Sequence, residues 1–299
     1  MTLRGFVRVR SGGLLSLALL GVLVASAPAL ASLPTTSDPE LRLARTIRTS
    51  PFAGSAISMR DAEGSAYVAR DDSLWLADDN GRAIYEVNPA TGTLKRKISG
   101  STFEAAARFG GGSTAGSNRI RDFESLAYDE ANDILYVFSG PCCASSVLPT
   151  AFRLVRGSGG ALHVDSFQPL ASGANYTAAG WNSADAKVYV GVGAQLRSYD
   201  YVSNTAGPVF KVRSLRGITG IDFSSNDLFV TTNAESLRRV DWERKTLVAG
   251  WTFDLTPFQV KDSRAVDLID DRFYVLDGYD GRSSGDPLRR AVFVFDVLP

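Results

Sequence analysis

Five copies of one short pattern constrain this chain more than any other feature. "LWLADD" from Leu74, "LYVFSG" from Leu135, "VYVGVG" from Val188, "LFVTTN" from Leu228 and "FYVLDG" from Phe273 are each a β-rich run ending in small or polar residues. The second position is aromatic every time: Trp75, Tyr136, Tyr189, Phe229 and Tyr274. These anchors recur at intervals of 61, 53, 40 and 45 residues. Repeats of that period are units that stack because none can bury its apolar face alone.

Three more strand-like segments surround each copy. "EGSAYV", "ESLAYD", "TAAGWN", "TGIDFS" and "RAVDLI" precede the five copies in turn. "IYEVN", "FRLVR", "LRSYD", "LRRVD" and "VFVFD" follow them, and a fourth run comes in "TLKRKI", "ALHVDSF", "PVFKVRS" and "TLVAGWTF". Tight polar turns such as "NPATG" join the third and fourth runs, as hairpins require. Four antiparallel strands per repeat is the pattern of a propeller blade. The sequence therefore predicts an all-β, five-bladed β-propeller of four-stranded sheets, with the five aromatic anchors buried. A sixth blade would have to hide in residues 99–120 or around 140–155, which are irregular. The fifth copy lacks its outer strand because the sequence ends at Pro299. The unassigned "LRLARTIRT", residues 41–49, is expected to pair with Ala291–Val297 and close the ring, since an open blade edge would leave backbone groups unpaired.

The first residues read as a processing signal. Arg4, Arg8 and Arg10 precede a short apolar run, Leu14 to Ala25, and Ala29-Leu30-Ala31 places small residues at the cleavage-defining positions. We expect a Sec-type signal peptide over residues 1–31, a single propeller over 32–299, and a secreted or periplasmic protein. Cleavage removes three basic residues and no acid, which leaves a slightly acidic chain. Such a balance offers nothing to nucleic acid, and no later apolar run is long enough to span a membrane.

At "DDSLWLADDNGRAIYEVNPATGTL", residues 71–94, the chain resembles blades of the NHL and gluconolactonase-like six-bladed propellers. "DAEGSAYV" from Asp61 and "DFESLAYD" from Asp122 resemble first strands of secreted phytase-esterase-like and SdiA-regulated propellers. In the gluconolactonase-like family a glutamate followed by glycine in the first strand binds the catalytic metal. Glu63-Gly64 resembles it, whereas the other ligands, an asparagine and an aspartate each before glycine, have no clear match. Five blades where that family has six is a further departure.

The long links fall at one end of the blades: residues 103–119, 140–150 and 278–290. Function concentrates on such loops. At the start of the first strand the five copies carry Glu63, Glu124, Thr177, Thr219 and Arg264. The two carboxylates there suit a hard cation, calcium or magnesium, or acid–base chemistry, unless Arg264 occupies the mouth as their counter-ion. Further along, Asp222 and Asp267 either face the channel or cap backbone between blades. Asp78 and Asp277 end their second strands, and Asp78 joins the two glutamates as a candidate metal ligand.

Cys142 and Cys143 are the only cysteines and are adjacent. Joined, they would make a strained eight-membered ring, because neighbouring Cα atoms are about 3.8 Å apart and ordinary disulfides span roughly 4.4–6.8 Å. Either as a ring or as two thiols, they stiffen one loop of the binding face or touch its ligand. His163, the single histidine, lies in an outer strand, so a Ser-His-Asp site or a His-rich metal site is not expected. The sequence thus points to a propeller that presents a face to a small molecule or a protein. A metal-dependent hydrolase of the lactonase or phytase-esterase-like kind is the alternative, and a quinoprotein oxidoreductase a distant third. A Glu–Arg pair at the mouth would favour the binder; three or more converging carboxylate or amide groups would favour the hydrolase.

Overall fold

The structure is a computed structural model and describes residues 33, 38–49, 56–109, 122–141, 149–171, 173–283 and 285–299. The chain opens with β1 (Glu40–Ile47). Blade one holds β2 (Ala62–Val68), β3 (Ser73–Asp78), β4 (Ala83–Val87) and β5 (Leu94–Ser99). Blade two holds β6 (Phe123–Asp129), β7 (Ile134–Ser139), β8 (Thr150–Arg156) and β9 (Leu162–Pro169). Blade three holds β10 (Ala178–Asn182), β11 (Lys187–Val192), β12 (Gln195–Asp200) and β13 (Thr205–Ala206). Blade four holds β14 (Ile218–Ser224), β15 (Asp227–Thr232), β16 (Ser236–Asp241) and β17 (Thr246–Asp254). Blade five is built from β18 (Ser263–Ile269), β19 (Arg272–Asp277) and β20 (Val292–Leu298), with β1 as its outer strand. All five sheets are four-stranded and antiparallel.

The first strands pack side by side around a ring: β2 on β6, β6 on β10, β10 on β14, β14 on β18, and β18 back on β2. The expected closure holds. Glu40 pairs with Leu298 and Ile47 with Val292, so the N-terminal strand covers the last edge of the fifth blade. The five anchors are all buried, with Trp75 fully enclosed and Tyr136, the most open, at 8 % exposure. They lie in clusters that form between blades. Trp75 shares one with Phe123, Val137 and Phe152 of blade two, and Tyr189 meets Phe223 and Trp242 of blade four.

Two local expectations change. The outer strand of blade three is Thr205–Ala206, and "PVFKVRS" contributes only an isolated bridge, Phe210 to Leu196. Pro208 has no N–H to give a ladder, and the chain then turns inward to bury Val212 and Leu215. Second, the stretch after blade one contains a helix, α1 (Gly100–Phe109). Its Glu104-Ala105-Ala106-Ala107 core is made of strong helix formers, and Phe103 docks on Phe123 and Phe152 at 4.8 and 5.0 Å.

Candidate functional site at the channel mouth

The column of Glu63, Glu124, Thr219 and Arg264 has a structural signature. In four blades the register between first and second strands slips at these residues: between Ala62 and Gly64, Phe123 and Ser125, Ile218 and Gly220, and Ser263 and Ala265. A bulge leaves one residue unpaired and re-aims its side chain, and bulges gather beside functional sites for that reason. The next residue is always small: Gly64, Ser125, Ala178, Gly220, Ala265. A Cβ on Gly64 would lie 2.7 Å from the Glu124 carbonyl oxygen, and one on Gly220 2.5 Å from the Ala265 Cα. The converging first strands therefore demand small residues here, and the glycine of Glu63-Gly64 has a packing cause.

Arg264 takes the role of counter-ion to one glutamate. Its Nη1 donates to Glu63 Oε2 at 2.7 Å and its Nη2 to Asp262 Oδ2 at 2.8 Å. Burial still pushes the Glu63 carboxyl well above the usual carboxylate range, Arg264 opposing and Glu124 adding to the rise. Glu124 is 7 % exposed and has no such ion pair among the described residues. Burial first, then the charge and hydrogen bond of Asp122 and the charge of Asp79, together raise its pKa to about 8 against the opposing charge of Arg264. Asp79 is pushed up to about 7 by burial and by the same neighbour, Asp122, with which it shares a hydrogen bond. Carboxyl groups bond to one another only by holding a proton between them.

A second column, two residues earlier, completes the mouth. It reads Asp61, Asp122, Asn175, Gly217 and Asp262. Backbone bonds fix its place: Asp79 N–H donates to the Asp61 carbonyl, Gly140 N–H to that of Asp122, Asn233 N–H to that of Gly217 and Gly278 N–H to that of Asp262. Sequence reasoning passed over this column, although it repeats with the same period as the glutamates. Three of its neighbourhood's oxygens converge above Gly140. Asp122 Oδ2, Asn175 Oδ1 and Glu124 Oε1 lie 2.5, 2.6 and 2.7 Å from where a Cβ on that glycine would stand. Asn175 Oδ1 is buried there without a hydrogen-bond partner among the described residues. Asp61 accepts from Asn80 Nδ2 at 2.6 Å, and burial raises its pKa.

The remaining candidates divide. Asp78 is fully buried inside blade one. Its Oδ1 accepts the backbone N–H groups of Arg60, Asp61 and Gly81 at 2.9–3.0 Å, and its Oδ2 the Tyr85 hydroxyl at 3.3 Å. It fastens the loop before β2 and does not join the two glutamates as the third ligand expected of it. Asp277 does the same before β18, holding the N–H groups of Asp262 and Tyr279 at 2.9 and 3.2 Å with Arg282 on its other oxygen. Asp222 and Asp267 cap backbone between blades: Asp222 accepts Leu268 N–H at 2.7 Å, and Asp267 accepts Tyr67 N–H at 2.8 Å and the Ser65 hydroxyl. Cys142 and Cys143 lie outside the described residues. Among the described residues, no three acidic, histidine or cysteine side chains are arranged to enclose a metal ion.

No protein-family model matches the sequence, and no curated protein matches it. Solved structures do. A glutaminyl cyclase from Myxococcus xanthus superimposes with a TM-score of 0.59 at 10 % identity, covering 87 % of this chain and 97 % of that one. A luciferin-regenerating enzyme gives 0.50 at 12 % identity, over 87 % and 95 %. A gluconolactonase from Xanthomonas campestris gives 0.49 at 11 % identity, over 91 % and 99 %. At these identities the likeness is one of fold, that of a β-propeller.

Proposed function

We propose that the channel mouth binds a small polar ligand and that Glu124 serves there as a general acid and base. The observation that carries this reading is the proton-sharing set of Glu124, Asp122 and Asp79, with the oxygens of Glu124 and Asp122 converging over Gly140. A carboxyl that titrates near 8 holds a proton at neutral pH and can return it, which is what acid–base catalysis asks of a side chain. Perturbed carboxyls gathered in one concave place are the usual mark of such a centre. Both arrangements that the sequence set against each other are present, since Arg264 neutralises Glu63 while Glu124 meets a second carboxylate and an amide. The first leaves Glu63 to hold the site's shape; the second leaves Glu124 to work. That two similar propellers are named as enzymes fits this reading.

Calcium is the rival occupant of the same oxygens, and with it the metal-dependent hydrolase. The purified protein should be surveyed with chromogenic esters, lactones and peptides carrying an N-terminal glutamine. Turnover with a pH profile governed by a group near 8, lost in Glu124→Gln, is expected. Turnover indifferent to that change would refute the assignment. A calcium-induced rise in Tm that vanishes in Asp122→Asn/Glu124→Gln would move the conclusion to a metal-dependent enzyme. Export through the predicted signal peptide is part of this proposal; it is tested by N-terminal sequencing of protein recovered outside the cytoplasm.

A further inference from the structure

A separate cavity of about 430 Å³ opens at the other end of the blades, between blades two and three. Its position follows from the topology. Lining residues come from the turn joining β6 to β7, the turn joining β10 to β11, and the turn after β12, all opposite the ends where the first strands begin. Its size lies within the range of ordinary small-molecule sites. Blade three has the shortest outer strand of the five, two residues, which pair with Tyr199 and Asp200 at the cavity wall, and Thr205 is part of the lining. The chain around it exposes Val202 at 86 %.

The lining has a particular chemistry. Tyr136, Trp181, Tyr199 and Tyr201 supply four aromatic rings, with Tyr136 and Tyr201 centred 5.6 Å apart. Asp129 lies beside them, 2 % exposed. Its carboxylate accepts from the Asn132 N–H at 3.1 Å and from Asn132 Nδ2 at 2.8 Å, and among the described residues it has no ion-pair partner. Its charge is felt by Tyr136, whose hydroxyl is pushed up to about 12, chiefly by burial and next by Asp129. That hydroxyl makes no hydrogen bond among the described residues. Lys187 stands at the exposed rim.

A buried carboxylate needs a counter-charge, and aromatic faces attract cations that shed water easily. Lys and Arg side chains satisfy this pairing elsewhere in the molecule, as Arg239 does over Trp251 beside Asp227; among the described residues none pairs with Asp129, and Arg153, whose charge reaches Tyr136 and Tyr201, pairs with Asp165. We infer that this cavity binds a quaternary ammonium group, its methyls against the tyrosines and tryptophan and its charge facing Asp129. Nothing in the inference depends on the chemistry of the channel mouth.

Titration calorimetry on the full mature protein tests it with choline, tetramethylammonium and 3,3-dimethylbutan-1-ol, the neutral isostere of choline. Both cations should bind, and the isostere should bind about tenfold or more weakly. Asp129→Asn keeps an oxygen for the Asn132 N–H and should weaken choline by a similar factor. Glu124→Gln should leave it unchanged. Equal affinity for choline and its neutral isostere would overturn the proposal, as would no heat from either cation at tens of millimolar. The isostere comparison needs no variant, so it stands even if Asp129→Asn fails to fold.

Discussion

Asp267 of β18 accepts the backbone N–H of Tyr67 at 2.8 Å, and Tyr67 belongs to the neighbouring blade. Asp222 of β14 does the same to Leu268 of β18 at 2.7 Å. Two consecutive seams of the ring, four to five and five to one, are thus held by a carboxylate that reaches over to the next first strand. Both aspartates are buried, and each sits in the other's field, so burial and mutual repulsion push Asp222 well above the usual range and burial brings Asp267 to about 7. Burial favours their protonated form, and the N–H groups they accept oppose that shift without cancelling it.

The pH dependence of stability follows. A carboxyl whose folded pKa lies above its unfolded value binds more protons in the native state. Its contribution is fully present below the unfolded value, near 4, and is lost as pH rises through the folded one. Asp267 and Asp79, at about 7, and Glu124, at about 8, all act in this direction. The Tm should fall steadily between about pH 5 and pH 9. Asp267→Asn should flatten that slope, which scanning calorimetry across the range will show; a variant with the parent's slope would remove Asp267 from the account.

Gly140→Ala puts a methyl where Asp122, Asn175 and Glu124 present their oxygens. Overpacking of this kind costs about 1–3 kcal/mol. Denaturant unfolding should show that loss, and carbon-detected NMR titration should show the Glu124 carboxyl moving away from 8. A neutral stability change with unaltered titration would mean that the space above Gly140 is larger than the converging oxygens indicate.

Tyr189→Ala removes the ring at the centre of an aromatic group in which Phe223 and Trp242 lie 5.3 and 4.8 Å away. The cavity left between blades three and four should cost about 3–5 kcal/mol, as for other buried aromatics. Chemical denaturation measures it directly.

Removing residues up to Ile47 strips β1 from β20 and breaks the Arg42–Asp296 ion pair. Most of the loss is the exposed edge, since a surface ion pair contributes little. The truncated protein should elute as large species in size-exclusion chromatography. A monomer with unchanged Tm would show that blade five needs no fourth strand.

Sequence alone determined the architecture, because a propeller repeats one local code. Alternating strands, hairpin turns and an aromatic anchor recur in Trp75, Tyr136, Tyr189, Phe229 and Tyr274, and each is decided by nearby residues. The closure of blade five by β1 was legible for a negative reason: one strand too few at the end and one too many at the start. The Arg264–Glu63 pair was legible as one of two outcomes for a column of charges. What period alone could not decide was which neighbours a side chain meets across a seam. Asp78 reads like Asp79 in the sequence, yet one is spent on backbone N–H groups and the other shares a proton with Asp122 in the next blade. Asn175 reads as a loop residue until the ring brings its oxygen above Gly140 beside Glu124. These contacts join residues far apart in the chain, and their strength depends on burial, which exists only once the blades have closed around the channel.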